Sequence, residues 1–490
     1  MTDLLTSSGV EDALCRARTS QASSRIEMLV DRGTFQAFGS QAQHQVTAFG
    51  MDRRRPVGDG VVTGLASVAG RPVAVFAQDP AVLGGSLGEL HAEKILRVIG
   101  HAQRGRFPVI GLVDSGGARI QEGVAALDGY GRIFRNNVAL SGRVPQISVI
   151  LGPCAGGAAY SPALTDIVIM TRNRALMFIT GPQVIKAVTG EDISAELLGG
   201  ATMHSRTSGV AHLVADDDAG ALNLATQVLS YLPSSCWDAL PIAPVRAPTG
   251  TVAVPADPRQ AYDVRSVIAG LVDGGSFLEL QPDHARNLVV GFARLDGGSI
   301  GVVANQPLRL AGTLDTAASE KGARFVRLCD AFGLPLVTLV DTPGFLPGTQ
   351  QEHGGIIRRG AKLLYAYAEA TVPRVTVVLR KAFGGAYIVM NSKALGADAV
   401  FCWPDAELAV MGAEGAIEIV FRHELAGDPT RREELLRSYR DQATTSAESA
   451  ARLSVDEIVS PDATRSALVT TLRTLCSPAA PRFRHDNLPQ

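Results

Sequence analysis

The chain has 490 residues, of which 46% are hydrophobic, 19% charged and 5% aromatic, with a formal net charge of −2. This composition is typical of an aliphatic-rich globular protein long enough for two or three domains. The 46 Lys and Arg residues are scattered rather than gathered into a basic stripe, which argues against nucleic-acid binding. No apolar run reaches the roughly 20 residues needed to cross a bilayer, so no membrane span is predicted.

The six cysteines lie far apart, with no C-x-x-C pair and no histidine cluster at ligand spacing. This spacing argues against a zinc site or a disulfide framework and favours a reducing compartment. The N-terminus has acidic residues early and no long apolar core, so no signal peptide is predicted. We therefore expect a soluble, cytoplasmic protein without a metal site.

In the first half of the chain, a polar stretch with one helical pattern is followed by a hairpin, an amphipathic helix and a buried strand. In chain order the predicted elements are a helix at 10–30, strands at 61–68 and 72–77, a helix at 90–101 and a strand at 109–113. Two strands followed by a helix make a ββα unit.

The second half repeats this order of elements. The predicted elements are strands at 289–295 and 299–304, a helix at 317–331 and a strand at 336–340. Asp341 follows Asp114 by 227 residues (341 − 114), and the dipeptide Glu-Lys recurs at the same offset, at 93–94 and 320–321. We predict a duplicated α/β domain, and two similar sites in one chain suggest a reaction with two partners.

Residues 232–256, rich in Pro, Ser and Ala, form the predicted linker between the copies. The predicted domains are an N-terminal extension at 1–55, a first domain at 56–240 and a second domain at 241–490. The tail of the second domain carries two charged helical stretches, at 431–441 and 463–475.

Each copy carries two glycine motifs that follow apolar strands. They read DSGGA at 114–118 and GGAA at 156–159 in the first copy, and DTPGF at 341–345 and GGA at 384–386 in the second. Helix N-termini carry unpaired N–H groups and glycine allows close approach, so a thioester or ureido oxygen can bind there. For any one glycine pair, tight strand–helix packing is the alternative, but four pairs in matched register favour binding.

Other catalytic patterns are weaker. GGSLG at 84–88 matches a nucleophile elbow, but about eight residues separate its serine from the preceding strand, which should end at the serine. A P-loop, a dinucleotide fingerprint and paired carboxylates are not evident. Arg119, Arg358, Arg359 and Lys362 flank the glycine motifs, and surface or ion-pair roles are favoured for them over phosphate binding. A site built from backbone amides suits a reaction whose reagents supply the base.

These residues resemble the carboxyltransferase β subunits of biotin-dependent acyl-CoA carboxylases, the propionyl-CoA and acetyl-CoA carboxylase type. The resemblance covers about residues 60–425. The matching strings are GGSLGE at 84–89, DSGGARIQEG at 114–123, GPCAGGAAYSP at 152–162, PGFLPG at 343–348, GIIRRGAK at 355–362 and RKAFGGAY at 380–387. The fold class that it implies is α/β, with two duplicated crotonase-like (ClpP/crotonase) domains built from repeated ββα units.

The resemblance implies that carboxybiotin gives up CO2, that the biotin anion takes the α-proton of an acyl-CoA, and that the resulting enolate attacks CO2. No side-chain base is then required. The implied cofactor is biotin carried by a separate subunit, and the implied substrate is a coenzyme A thioester. The implied partners are a biotin carboxylase/biotin carrier α subunit and further copies of this chain in a homohexamer, in which the first domain of one subunit faces the second domain of another.

By residue match, the resemblance implies that amides around Ala118, Gly157 and Ala158 hold the enolate oxygen. It implies that amides around Gly344, Phe345, Gly385 and Ala386 hold the biotin ureido oxygen. Further residues implied in substrate binding are Gly116, Gly117, Gly156, Tyr160, Gly344, Phe345 and Ile388. Ile388 matches a position that lines the acyl pocket, and a large apolar residue there favours a short acyl chain, acetyl or propionyl. One pocket position separates chains that differ by a methylene by only about 1 to 3 kcal/mol.

Two alternatives to carboxyl transfer stay open. The same amides would serve a decarboxylase of malonyl or methylmalonyl thioesters, with or without biotin, because they stabilise the same enolate in both directions. A scaffold with a decayed site is a third hypothesis, which the complete glycine motifs oppose.

Overall fold

The computed structural model describes residues 20–443, 445–476 and 486–489. Internal contacts group the described residues into two compact units, one of residues 20–238 with 486–489 and one of residues 239–443 with 445–476. Residues 20–55, expected as a separate extension, belong to the first unit, and so do residues 486–489, expected at the end of the second domain. The division lies close to the expected boundary at 240/241.

The first unit is built around an eight-stranded mixed sheet. Its strands are β1 (Gln36–Phe38), β2 (Val61–Val68), β3 (Arg71–Gln78), β4 (Val109–Ser115), β5 (Gln146–Ala155), β6 (Ile167–Thr171), β7 (Leu176–Phe178) and β8 (Leu213–Ala215). The strand order is β1-β2-β3-β4-β5-β6-β8, and β7 pairs with β5. The strands from β3 to β6 are parallel, and every residue of β4 and β6 is buried. Burial on both faces explains why these strands read as apolar runs without alternation.

Helices of the first unit pack on this sheet. They are Gln21–Leu29, Glu89–Gly105, Val124–Leu140, Gly157–Ala163, Pro182–Thr189, Ala195–Gly199, Ala201–Met203 and Asp218–Tyr231, with 3₁₀ turns at Ala48–Arg53, Leu83–Gly85 and Ile120–Glu122 and a π-helical turn at His204–Ser208. Glu89–Gly105 forms because its apolar residues recur every three or four positions, which buries Ile95, Val98 and Ala102 on one face.

The second unit has the same plan. Its strands are β9 (Leu278–Leu280), β10 (Leu288–Leu295), β11 (Gly298–Asn305), β12 (Leu336–Thr342), β13 (Arg374–Phe383), β14 (Ala399–Cys402), β15 (Glu407–Ala409) and β16 (Glu457–Ile458). The strand order is β16-β14-β13-β12-β11-β10-β9, and β15 pairs with β13. The run from β10 to β14 therefore matches the run from β2 to β6, which confirms the predicted duplication of an α/β, crotonase-like domain.

Helices of the second unit complete the described fold. They are Val264–Leu271, Thr316–Ala331, Thr349–His353, Ile356–Glu369, Gly384–Val389, Ala413–Val420, Arg422–Gly427, Arg432–Ala443, Ser446–Ala451 and Pro461–Leu475, with 3₁₀ turns at Leu310–Gly312, Lys393–Leu395 and Pro429–Arg431. Of the helix predicted at 10–30, residues 21–29 are helical, and residues 10–19 lie outside the described ranges. None of the described helices combines the length and the apolarity needed to cross a membrane.

Candidate active site

In the first unit, the loop after β4 is bracketed by a neighbouring turn. The Leu87 N–H donates to Gly117 O (2.9 Å), and the Arg119 N–H donates to Leu87 O (2.9 Å), which makes a single parallel bridge opposite Ala118. In a parallel bridge the middle residue's own N–H points away from the partner strand. Among the described residues none accepts from the Ala118 amide, so this donor is free for a ligand oxygen.

The bracketing turn, Leu83–Gly85, is left-handed at three successive residues, with φ of 51° at Leu83 and 64° at both glycines. Gly84 O accepts from the Gly116 N–H (3.0 Å). A Cβ at Gly85 would lie 2.1 Å from Asp114 O, so only glycine fits there. The Ser86 hydroxyl donates to Leu83 O (2.7 Å) within the same turn. This contact gives Ser86 a role in the turn and leaves the nucleophile hypothesis without structural support.

The second group of backbone amides in this unit lies at the start of the helix Gly157–Ala163. β5 ends at Ala155, and Gly156 (φ 61°, ψ −129°) turns the chain into the helix while its own N–H donates to Phe178 O (3.0 Å). The amides of Gly157 and Ala158 lie in the first helical turn, where no preceding helical carbonyl exists to accept from them. They carry the partial positive charge of a helix N-terminus.

These two loops lie against each other at one edge of the sheet. A Cβ at Gly117 (φ 101°) would lie 2.7 Å from Ala155 O, the carbonyl that precedes Gly156. A Cβ at Gly157 would lie 2.9 Å from the Tyr130 ring. Both glycines are therefore required by close packing, and a side chain at 157 would displace Tyr130 first.

Tyr160 continues a row of aromatic rings along this helix. It makes an edge contact with Phe134 (6.1 Å between centroids), which stacks on Tyr130 (5.8 Å). Tyr130 is buried, whereas Tyr160 is 48% exposed. The row thus runs from beneath Gly157 to the surface and gives Tyr160 a position from which it can contact a bound molecule.

The second unit repeats the bracketed loop. The Leu314 N–H donates to Gly344 O (3.1 Å), and the Leu346 N–H donates to Leu314 O (2.8 Å), so Phe345 occupies the bridge position that Ala118 has in the first unit. Among the described residues none accepts from the Phe345 amide. Gly344 has φ of 137°, a conformation that favours glycine.

The helix Gly384–Val389 supplies the matching N-terminus. It begins after a turn at Gly384 (φ 60°) and presents the amides of Gly385 and Ala386 in its first turn. A Cβ at Gly385 would lie 3.7 Å from the Phe345 ring, so the loop and the helix meet here too. Ile388, one turn further, is 43% exposed, and its role in an acyl pocket stays a prediction.

The lysine of the repeated Glu-Lys dipeptide has a structural role that the sequence did not indicate. Lys321 is buried, and its Nζ donates to Gln281 O (2.9 Å), His284 O (2.8 Å) and Leu288 O (2.7 Å). Lys94 Nζ donates to two backbone carbonyls in the first unit. Burial lowers the pKa of Lys321 to about 7 and that of Lys94 to about 8. Each lysine thereby links the helix that carries it to backbone carbonyls just before or within the preceding hairpin.

A buried network supports the first loop from below. Arg119 is 1% exposed, pairs with Asp59 and Glu122 (both 2.7 Å) and donates to Ser86 O (2.9 Å). Burial is the main reason that the pKa of Asp59 is raised. The ion-pair role favoured for Arg119 is confirmed. It is confirmed as well for two basic residues of the second unit, since Arg359 (3.2 Å) and Lys362 (2.6 Å) both pair with Glu320.

Every predicted site residue lies in one of two clusters. Those of the first unit are Gly116, Gly117, Ala118, Gly156, Gly157, Ala158 and Tyr160, and those of the second are Gly344, Phe345, Gly385, Ala386 and Ile388. Within each cluster a strand-end loop and a helix N-terminus direct amides to one edge of a parallel sheet. Their roles toward ligand atoms stay predictions. In the described ranges no group of three or more His, Cys, Asp or Glu side chains is arranged to hold a metal ion.

Known proteins share this architecture. Residues 18–487 match the family described as the carboxyl transferase domain. The chain is 53% identical over 479 residues to the propionyl-CoA carboxylase carboxyltransferase subunit of Haloferax mediterranei, covering 96% of this chain and 93% of that protein. It is 50% identical over 481 residues to the methylmalonyl-CoA carboxyltransferase 12S subunit of Propionibacterium freudenreichii subsp. shermanii, covering 96% and 91%.

A crystal structure of transcarboxylase 12S, described as a hexamer with methylmalonyl-CoA and methylmalonic acid bound, matches with a TM-score of 0.91 and 48% identity over 98% of this chain and 94% of that chain. Such β subunits use coenzyme A thioesters, with biotin carried by a separate subunit, which confirms the predicted cofactors. The chain belongs to the carboxyl transferase domain family, and it is a biotin-dependent carboxyltransferase of the acyl-CoA carboxylase type.

Proposed function

We propose that this chain moves a carboxyl group from carboxybiotin, held on a partner carrier protein, to the α carbon of a short acyl-CoA. The observation that carries this proposal is the presence of two amide-donor clusters in matched register, one in each unit. A reaction that joins two carbonyl compounds needs one such cluster for each. The names of the relatives, which include propionyl-CoA and methylmalonyl-CoA enzymes, support the same class of substrate.

In the first unit, the amides of Ala118, Gly157 and Ala158 bind the thioester oxygen of the acyl-CoA. This oxygen gains negative charge when the α-proton leaves, and the donors are already oriented toward it by the Leu87 bridge and the helix N-terminus. A preorganised donor of this kind contributes about 2.7–4 kcal/mol to transition-state stabilisation. The cluster thereby favours the enolate over the neutral thioester, which is the condition for catalysis.

In the second unit, the amides of Phe345, Gly385 and Ala386, next to Gly344, bind the ureido oxygen of biotin. Biotin, when bound, supplies both the carboxyl group and the base for the α-proton. The chain itself then has to bind, orient and stabilise charge, and no catalytic side-chain acid or base is needed. The two carboxylates nearest the loops, Asp114 and Asp341, are buried in ion pairs, which suits support rather than proton transfer.

We assign Tyr160 to acyl-CoA binding by the first unit and Ile388 to the limit on acyl chain length. Both are partly exposed on the donor helices of their own units, Ile388 at 43% and Tyr160 at 48%. A branched apolar side chain at 388 fills space and offers no polar contact, which favours acetyl-CoA or propionyl-CoA over longer thioesters. The pocket discriminates between these two by only about 1 to 3 kcal/mol.

We further propose that the chain assembles as a homohexamer that works with a biotin carboxylase/biotin carrier α subunit. The hexamer named for transcarboxylase 12S, at 48% identity over nearly the whole chain, supports this assembly. Analytical ultracentrifugation of the purified chain should give a mass of six protomers, and a stable monomer with full turnover would contradict it.

The test of the reaction uses the purified chain with malonyl-CoA or methylmalonyl-CoA, with and without free biotin, and follows the decarboxylated acyl-CoA by mass spectrometry. Loss of the carboxyl group that depends on biotin is expected, because it is the proposed reaction in reverse. The preferred thioester then identifies the acyl pocket. Loss without biotin would instead establish a decarboxylase, and no loss with either thioester would contradict both assignments.

A further inference from the structure

In both units, the strand that leads into the donor helix is bulged at the same place. Val113 pairs with Ile150 and Ser115 with Cys154, so three residues of β5, 151–153, face the single residue Asp114. β12 and β13 repeat this shift, and residues 379–381 face Asp341. Bulges beside active sites re-aim the strand that carries them. Here each bulge sets the direction in which the chain enters the glycine turn and the donor helix.

The aspartate opposite each bulge is buried and fixed through its backbone. Asp114 is 4% exposed and Asp341 is 0% exposed. The Asp114 N–H donates to Gln78 Oε1 and the Asp341 N–H to Asn305 Oδ1, both at 3.3 Å. Each aspartate is also the residue from which a donor loop departs. In each unit, one aspartate therefore lies at the start of the donor loop and opposite the bulge that leads into the donor helix.

An arginine reaches this carboxylate in each unit, but it comes from a different element. Arg25, on the helix Gln21–Leu29, places Nη1 2.8 Å from Asp114 Oδ2 and donates to Leu151 O (3.1 Å) inside the bulge. Arg380, within the bulge of β13, places Nε 3.0 Å from Asp341 Oδ2. The two arginines are 1% and 5% exposed.

The two arginines come from different elements for a steric reason. With β5 and β13 offset by 228 residues (374 − 146), Arg380 is the counterpart of Gly152. A Cβ at Gly152 would lie 2.2 Å from Asp114 Oδ1, so the first unit leaves this position empty and draws its arginine from the N-terminal helix. Two unrelated routes to the same pairing indicate that the pairing itself is required.

Electrostatics make the arginines necessary once the carboxylates are buried. Burial raises the pKa of both carboxyls, and Arg25 or Arg380 is the chief opposing influence. Removing one partner of a buried pair leaves an uncompensated charge, which is far more costly than removing both. Arg25 also pairs with Asp218 (2.8 Å), and Arg380 also donates to Asp257 O (3.0 Å) and Gln260 O (2.9 Å), so each anchors the bulge to a further segment.

We propose that Arg25 and Arg380 are positioning residues which, through Asp114 and Asp341, hold the two bulges and thereby aim the amide donors of both clusters. This inference rests on the proposed carboxyl transfer. Neither arginine contacts the reacting atoms. Each acts by keeping its loop and its donor helix in the relative orientation that a ligand oxygen needs.

The test measures biotin-dependent decarboxylation of the full-length Arg25→Met, Asp114→Asn and doubly substituted proteins, normalised to the folded fraction. Arg25→Met should lower kcat about 100-fold, the effect of misplacing one oxyanion donor. The KM for the acyl-CoA should change little, because the amide donors stabilise the charge that develops in the transition state more than they stabilise the bound thioester. The kcat of the double variant should be at least about tenfold higher than that of Arg25→Met, since residue 114 then no longer carries a buried, unpaired charge. No recovery would overturn the claim that Arg25 acts through Asp114.

Arg25→Lys keeps the proposal testable if Arg25→Met fails to fold. A lysine keeps the charge but lacks the planar fork that reaches Asp114, Asp218 and Leu151 O together, so kcat should fall about tenfold. Unchanged kcat and KM for the lysine variant, or a methionine variant whose kcat per folded protein equals that of wild type, would overturn the proposal.

Two matched comparisons complete the design. Arg174→Met removes the other arginine of Asp218 (3.4 Å), which is half-exposed, and should leave kcat within about twofold of wild type. Arg380→Met should lower kcat as Arg25→Met does, again with little change in the KM for the acyl-CoA, but with a changed dependence on biotin. If wild type itself shows no biotin-dependent reaction, the proposed function fails; if wild type reacts and Arg25→Met matches it, only the positioning role fails.

Discussion

The two units build the same backbone with different supporting side chains. Both carry three left-handed residues in the turn that brackets the donor loop, at Leu83–Gly85 and Leu310–Gly312, although Ala311 replaces the glycine that the first turn has at its centre. Both fix the amide of the aspartate with a carboxamide, from Gln78 or Asn305. What the two units share is the direction of the backbone N–H groups at Ala118 and Phe345.

Below the loops the units diverge. The first unit has a buried network of His91, Asp59 and Arg119, in which His91 Nδ1 donates to Asp59 O (3.0 Å). In the second unit, the Tyr262 ring lies under the Arg380 guanidinium, 5.0 Å from its centroid. Because the donors belong to the backbone, any packing that holds the loop is acceptable, and the supporting side chains are free to differ.

The largest expected effect comes from removing one amide donor. Ala158→Pro deletes the N–H at a first-turn position where proline is tolerated, since that N–H has no helical partner. We expect kcat to fall about 10²–10³-fold with the melting temperature nearly unchanged. Ala386→Pro should do the same in the second unit, with the loss appearing in the dependence on biotin.

The matched control for this pair is Ala158→Gly, which keeps the amide and should retain at least about a tenth of wild-type kcat. Steady-state kinetics with both thioesters and a thermal melt measure the outcome. Equal activity of the proline and glycine variants would contradict the assignment of this amide as a donor.

The bracketing turn offers a smaller, graded effect on stability. Gly85→Ala places a Cβ 2.1 Å from Asp114 O in a left-handed residue, and we expect the free energy of unfolding to fall by about 3 kcal/mol. Gly84→Ala meets no atom within 4 Å, so only the left-handed strain of about 1 kcal/mol remains, as at Ala311. Denaturant unfolding of the two variants measures the difference. Similar losses at both positions would show that the close contact does not matter.

The last comparison separates the two units by how their stability depends on pH. Burial, together with the nearby charges of Arg119 and Lys94, lowers the pKa of His91 from 6.5 to about 3, whereas Ala318 occupies the equivalent place in the second unit (91 + 227). Between pH 6.5 and 3 the unfolded chain binds a proton that the folded chain does not. The free energy of unfolding therefore falls with decreasing pH, by up to about 1.4 kcal/mol per pH unit from this group.

His91→Gln removes this group while keeping a side chain able to donate to Asp59 O. The variant should lose stability less steeply below pH 6.5 than wild type, as followed by denaturant unfolding at several pH values. An identical acid dependence in the two proteins would show that His91 titrates normally in the folded state.

Much of this architecture was predictable because its signals are local. Apolar runs and the turn at Gly70 predicted the hairpins and buried strands, which are observed within one or two residues at their starts. The matched offsets of Asp114 and Asp341 predicted the duplication, and the glycine motifs at 156–159 and 384–386 are indeed turns into helices. The motif at 115–118 was also expected to open a helix, but it and its counterpart at 341–345 are loops held by a single bridge. Residues 486–489 were expected with the second domain because they follow it in sequence, but they pack in the first unit through Asn487 and Ser141.

The supports of the site could not be found in the same way. Arg25 lies in a polar segment 89 residues before Asp114, and no periodicity relates the two. The reason for a glycine at 152 depends on where the Asp114 carboxylate points. The burial of Lys321 is explained only by the three backbone carbonyls that accept from its Nζ. Such contacts depend on three-dimensional packing between distant segments.

By itself, then, the sequence determined the two α/β repeats and the glycine turns into helices at 156–157 and 384–385, because strand periodicity and glycine's backbone freedom act over a few residues. Only the tertiary structure decided which way the amides of Ala118 and Phe345 face and which arginine compensates each buried aspartate. The physical reason is that a buried charge must be neutralised by whichever side chain the fold brings within about 3 Å, and sequence distance places no limit on that choice.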